Sequence, residues 1–159
     1  MAEQLILNNL KIEKAKEEDW GNILKLLDET SLTFWFTGNE SFNNFYIVKE
    51  PQNNSLICTF AIERENEIGV LKSFAIPKGL QGKGIGKYLA NKTPLVAKEL
   101  GIKKLYAVSQ EAPEFWQKTK FREIKLEDAK DNYFINYLSL FCHRIPDYYN
   151  KTHYFLALI

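Results

Sequence analysis

Apolar residues recur along this chain in two periods, and the switching between them sketches its elements. In "LKIEKAK" (residues 10–16) Leu10 and Ile12 alternate with polar positions, as in a half-buried strand. "EEDWGNILKLLDET" then spaces Trp20, Ile23, Leu24 and Leu27 as one helix face, with acidic residues at its start, where they complement the helix dipole. In "SLTFWFTGNESFNN" (31–44) Phe34, Trp35 and Phe36 follow no clean period and a Gly-Asn turn follows; a second helix and a substrate-side loop both fit. "FYIVKE" and "NSLICTFAIE" flank the turn cluster "PQNN", and "RENE" leads into "IGVLKSFAI" (68–76), which together predict a meander of three strands. "KYLANKTPLVAKELG" has near-helical spacing at Leu89, Leu95, Val96 and Leu100, with Gly101 at the C-cap position. Pro94 lies inside it, and an interior proline costs about 3 kcal/mol, so this helix should kink or break. "IKKLYAVS" reads as a short buried strand, "APEFWQKTK" as a short helix with an early proline, "FREIKL" as another strand and "THYFLALI" as a buried closing strand.

The length of 159 residues suits one domain, 1–159, and should bury roughly 68–70% of the unfolded chain's surface. Lys and Arg number 21 against 20 Asp and Glu, a net charge of +1, so no global field draws the chain to nucleic acid or anionic lipid. A small molecule is the expected partner; a homodimer is compatible with all of this. No apolar run reaches the roughly 18 residues of a membrane span, and "MAEQ" lacks the basic-then-apolar start of a secretory signal, which leads to the expectation of a cytoplasmic protein. Cys58 in "LICTFAI" and Cys142 in "LFCHR" have no CxxC spacing, so both are expected to be core thiols, with no metal site.

The stretch "LQGKGIG" (80–86) places three glycines at alternate positions between a predicted strand and a predicted helix. A strand, a glycine-rich turn and a helix cradle phosphate, because bare backbone N–H groups converge on the anion and the helix start adds partial positive charge. Two familiar versions fail on spacing. Counted from Gly79, a P-loop would need lysine at Ile85, and a dinucleotide fingerprint started at Gly82 or Gly84 meets Lys87 or Leu89 where its last glycine belongs. A plain tight turn using glycine for positive φ is the structural alternative.

Gln81-Gly82-Lys83-Gly84-Ile85-Gly86 resembles the Gln/Arg-x-x-Gly-x-Gly/Ala signature of the GNAT superfamily of N-acyltransferases, preceded as in that family by a strand, "LKSFAI". "IEKAKEEDWGNILKLLDE" looks like that family's opening strand and helix, and "AVSQEAPEFWQKTKF" like its Asn-x-x-Ala-x-x-Phe-Tyr-x-Lys-x-Gly-Phe segment, matched at Ala112, Phe115, Lys118 and Phe121. The resemblance implies an α/β (α+β) fold in one domain, with a mixed, mostly antiparallel sheet splayed near its middle, between the strands 68–76 and 103–109. It implies acetyl-CoA as donor, with the amides of Gly82, Lys83, Gly84, Ile85, Gly86 and Lys87 on the pyrophosphate, Gln81 at the loop's entrance, and the main chain of Phe74, Ala75 and Ile76 paired with pantetheine like an added strand. Lys83 and Lys87 would add charge near the phosphates; solvated loop lysines are the alternative.

The same resemblance marks departures. Many members place a tyrosine in the helix after the fifth strand to protonate the leaving thiolate; here that position is Trp116, whose indole cannot transfer a proton near neutral pH, which assigns it to packing. The family's asparagine is Ser109 and its last glycine Lys120. "GVLKS" lacks the carboxylate that often serves as base, leaving Glu63 on the neighbouring strand, with Ser109, as the weak catalytic candidates. Without a base, an α-amine, with a pKa near 7.8 and roughly a seventh neutral at pH 7, is easier to serve than a lysine amine near 10.4, neutral about once in 2,500.

A finer likeness runs to small stand-alone members related to N-acetylglutamate-synthase-type amino-acid acetyltransferases. "LLDETSL", "VLKSFAI" and "CHRIPDYYNKTHYFLAL" carry it, although Ile145 and His153 stand where that group has further cysteines. Lys72 would then meet an acceptor carboxylate; an edge or surface lysine is the alternative. The expected activity is direct acetyl transfer from acetyl-CoA to a small amine in a ternary complex, with an acyl-CoA-binding module lacking catalysis, or a protein or peptide acetyltransferase, as the rivals.

Overall fold

The computed structural model describes residues 7–159; the "MAEQ" start lies outside the described residues. The elements run β1 (Glu13–Lys14), α1 (Trp20–Glu29), β2 (Phe45–Lys49), β3 (Leu56–Glu65), β4 (Ile68–Ala75), α2 (Ile85–Ala90), α3 (Thr93–Glu99), β5 (Lys104–Ser109), α4 (Pro113–Gln117), β6 (Arg122–Ile124), α5 (Asn132–Ser139), α6 (Tyr148–Lys151) and β7 (His153–Leu158). The strands hydrogen-bond in the order β1-β2-β3-β4-β5-β7-β6. The β1–β2, β2–β3, β5–β7 and β6–β7 pairs are antiparallel and β4–β5 is parallel, so the sheet is mixed and mostly antiparallel. The chain forms two compact units, the first reaching to Ala61 and including Ser73–Tyr88, the second comprising Ile62–Lys72 and Leu89–Ile159. Strands β3 and β4 run through both.

In the first unit the apolar stripe of α1 does what its spacing predicts. Ile23, Leu26 and Leu27 pack with Phe45, Ile47, Ala61 and Ala75, and Trp20 meets Phe45 edge-on at 5.3 Å. Asp19 precedes the helix, accepts the Lys16 N–H at 2.8 Å and pairs with Lys49 at 3.0 Å. Burial pushes its carboxyl up, but that hydrogen bond and the Lys49 ammonium more than offset it, and the group sits below its ordinary value. Residues 31–44 form two 3₁₀ turns, Leu32–Trp35 and Phe42–Asn44, rather than a second α-helix. The break starts at Ser31, which adopts a left-handed conformation (φ 62°).

In the second unit side chains divide by strand parity. On β5, Tyr106 points towards α5, its ring stacked on Phe134 at 4.0 Å and its hydroxyl donating to Asp131. Leu105, Ala107 and Ser109 take the other face, where Phe155 of β7 lies 6.3 Å from Trp116 of α4. Gly69 faces the same way, and a Cβ there would come within 2.7 Å of Ile102, which explains the missing side chain. The predicted break at Pro94 is present: α2 stops at Ala90 and α3 begins afresh with the proline in its first turn, where no N–H is missed. Cys58 is fully buried, whereas Cys142 is half-exposed after α5, where Sγ donates to Ser139 O; the expectation of a second core thiol fails because the chain turns there.

Candidate functional site

The glycine loop lies wholly in the first unit. After β4 and one 3₁₀ turn (Lys78–Leu80) the chain enters it extended at Gln81, whose Nε2 donates to Ile76 O at 2.9 Å and ties the loop's entrance to the strand's end. Gly82 (φ +78°) and Gly84 (φ +83°) occupy the left-handed region, which costs an L-residue roughly 1–2 kcal/mol, so the glycines answer a backbone requirement. A Cβ at either would meet nothing within 4 Å, so the loop also presents bare main chain to open space. The first helical bond of α2 runs from Tyr88 N to Gly84 O, so the amides of Ile85, Gly86 and Lys87 precede it and have no helical acceptor. Lys83 and Lys87 are exposed.

Upstream, the side chains of Ala75 and Ile76 are buried, at 2% and 8% exposure, which leaves their main chain to meet a ligand, while the half-buried Phe74 stacks on Phe60 at 6.1 Å. The β4–β5 ladder covers Ile68–Leu71 against Lys104–Ala107, and β4 continues past it to Ala75 through Ser73, which is left-handed at φ 55°. That conformation is uncommon for serine and re-aims the strand just after Lys72.

Three of the sequence's other candidates lie in the second unit. Lys72 is no surface lysine. It is 7% exposed, its ammonium lies 3.5 Å from Glu63 Oε1 and 6.0 Å from the centre of the Tyr137 ring, so the two candidates form one cluster. Burial, with the charges of Glu63 and Glu65, pushes the nearby Tyr133 phenol up to about 12. Ser109 has a local task, since its Oγ accepts the Ala112 N–H at 3.1 Å and shapes the turn into α4. Trp116 is 7% exposed and packs edge-on against Phe115 and Phe121 at 5.2 and 5.3 Å, as its assignment to packing anticipates.

One constellation escapes the sequence. His153 of β7 stands opposite Ser109 in the β5–β7 register, and its Nδ1 is 2.8 Å from Oε2 of Glu123 on β6. Gln117 of α4 donates to the other oxygen of Glu123 at 2.8 Å. The hydrogen bonds from His153, first, and Gln117 hold the Glu123 carboxyl below its ordinary value. No spacing rule links residues 117, 123 and 153; the placement of β7 between β5 and β6 brings them together.

No protein-family model matches the chain, and no curated protein matches it in sequence. Solved structures do. N-acetylglutamate synthase from Neisseria gonorrhoeae, complexed with coenzyme A and N-acetyl-glutamate, superposes with a TM-score of 0.73 at 18% identity over 99% of this chain. A Mycobacterium tuberculosis protein in complex with CoA gives 0.71 at 15% identity, covering 94% of this chain and 99% of that one. An acetyltransferase of the GNAT family from Staphylococcus aureus Mu50 gives 0.62 at 19%, covering 91% and 97%. The chain has the GNAT fold. It spans 36% of the Neisseria synthase chain, so that likeness is to one part of a longer protein. In GNAT terms the glycine loop follows β4 and opens α2, where the sequence resemblance sets it, and α4 carries tryptophan where that resemblance expects tyrosine. Among the described residues no group of three or more His, Cys, Asp or Glu could hold a metal ion, and no helix is long and apolar enough to cross a membrane.

Proposed function

We propose that this protein is an acetyl-CoA-dependent N-acetyltransferase acting on the amine of a small molecule, with an amino acid as the leading acceptor class. The observation that carries the reading is the Gln81–Lys87 loop: two left-handed glycines with open space before them and helix-start amides without helical acceptors, on a fold whose solved relatives include CoA complexes. Residues of this kind fit a pyrophosphate, because main-chain N–H groups reach the anion only where no Cβ intervenes. Lys83 and Lys87 supply exposed positive charge on either side. Acetyl-CoA brings an activated thioester acyl group, and the protein's part is to hold and orient it.

On the acceptor side the reading assigns the Glu63–Lys72 cluster. Lys72 is buried and already neutralised by Glu63, so an acceptor carboxylate would share its ammonium, while Glu63, about a quarter exposed, would draw the acceptor's own ammonium group. A zwitterionic amino acid meets both. The neighbouring structures agree in kind, since the Neisseria synthase was solved with N-acetyl-glutamate and, separately, with L-arginine.

The first test is calorimetric titration of acetyl-CoA and free CoA into the protein, then CoA release over a panel of free amino acids and other small amines. Micromolar binding, about −8 kcal/mol, with turnover of amino acids is the expected result. Binding without turnover of any amine would favour the non-catalytic module, and absence of binding would leave the loop a structural turn.

A further inference from the structure

We infer that Tyr137 is a positioning residue of the acceptor site: its ring holds the Lys72 ammonium where a carboxylate can meet it, which selects free amino acids over their amides and over peptide N-termini. This rests on the acetyltransferase reading and on its assignment of the Glu63 and Lys72 cluster to the acceptor.

Every residue involved belongs to the second unit. In the parallel pairing of β4 with β5, Val70 stands opposite Tyr106, so the two side chains share a face, and Lys72, two residues beyond Val70, takes that face as well. Tyr106 points towards α5, which sets Lys72 against the same helix, its ammonium 6.0 Å from the centre of the Tyr137 ring and within the range of a cation–π contact. Helix α5 is fixed from the β5 side. Phe134 stacks on Tyr106 at 4.0 Å, and Asp131, just before the helix, accepts from the Tyr106 hydroxyl and, at 3.2 Å, from Lys104 Nζ. Tyr137 is itself 6% exposed and meets Phe141 edge-on at 5.0 Å. Its ring is therefore a fixed wall against a lysine whose four-carbon stem would otherwise let the ammonium swing.

The chemistry of that wall matters. A second carboxylate beside Lys72 would cancel its charge, whereas an aromatic face attracts the ammonium and leaves the charge intact. Glu63, 3.5 Å away, balances that charge in the free protein, and with side-chain exposures of 27% for Glu63 and 5% for Lys72 the pair opens to solvent on the Glu63 side. An acceptor that draws Glu63 to its own ammonium leaves Lys72 a buried, uncompensated charge unless it brings a carboxylate of its own. A zwitterion restores one anion for each cation. An amino-acid amide or a peptide N-terminus adds a positive charge with nothing to balance it.

The test compares acetyl-CoA turnover for each free L-amino acid of the panel and its α-carboxamide. Wild type should favour the acid by about tenfold or more in kcat/KM, through a lower acceptor KM. Y137L should shrink that ratio by about tenfold by raising the KM for the acid, with the KM for acetyl-CoA unchanged, and Y137F, which keeps the ring face, should preserve it. A role confined to packing would penalise acid and amide alike. Should Y137L prove too unstable to assay, the wild-type ring resonances of Tyr137, assigned with Y137F, decide: in the CoA-saturated protein they should move on addition of the amino acid turned over best and stay in place with its amide. An acid-to-amide ratio near one in wild type, an unchanged ratio in Y137L, or a Tyr137 ring indifferent to the acid would overturn the inference and leave the acetyltransferase reading standing. Failure to turn over any amine would instead overturn that reading.

Discussion

Gly84 separates backbone need from side-chain need at a single position. Its φ of +83° would cost valine roughly 1–2 kcal/mol, a few degrees of melting temperature, while the valine side chain would enter the open space before the loop. G84V should therefore remain folded by circular dichroism and lose CoA affinity by about 100-fold or more in calorimetry, about 2.7 kcal/mol. G79A is the control, since a Cβ on Gly79 would meet nothing within 4 Å and its φ is not left-handed, and it should bind CoA as wild type does. Asp19 makes a pH-dependent prediction. Its carboxyl is depressed in the folded state, so its contribution is present above the ordinary carboxylate range, near 4, and is lost as pH falls through the folded value. D19N should cost about 1–3 kcal/mol in urea melts at pH 7, with the difference from wild type closing below about pH 4. At this scale the sequence was most informative where one residue type has one physical use, as with the left-handed glycines and Pro94. It was least informative for Cys142 and Lys72, whose burial depends on neighbours distant in the chain: Lys72 looks like a polar position in a strand, yet it is covered beside Tyr137.

Among elements, the Glu63–Lys72 pair joins β3 to β4 and carries a stability prediction. Lys72 is buried and Glu63 about a quarter exposed, so removing the carboxylate should cost more than removing the ammonium with its stem retained. E63A is expected to lose about 1–3 kcal/mol and K72M less, and a double-mutant cycle in urea should give a coupling of about 1 kcal/mol. A coupling indistinguishable from zero would reduce the pair to coincidental neighbours. The helices and strands themselves were legible from period and punctuation, including α1, the meander and the closing strand. The 31–44 stretch was not, because aromatic residues without period say nothing about which turns they adopt. Strand order was not legible either. A chain that writes β6 before β7 gives no hint that β7 inserts between β5 and β6, and the His153–Glu123–Gln117 constellation exists only because it does.

For the molecule as a whole, donor binding should register as stability. A ligand held by the folded state alone at 100 times its Kd adds about 2.7 kcal/mol, so saturating CoA should raise the melting temperature by roughly 5–10 °C, and G84V should abolish that rise. The placement of β7 also bears on how the protein is made. Residues 153–158 supply hydrogen-bonding partners to β5 on one side and β6 on the other. A nascent chain emerging from the ribosome therefore carries both of those strands with their shared neighbour still unsynthesised, two open edges that invite wrong partners. The second unit can close only once residue 158 is clear of the exit tunnel. A chain stalled short of His153 should accumulate as an aggregation-prone, chaperone-bound species, although every residue of the glycine loop has already been translated.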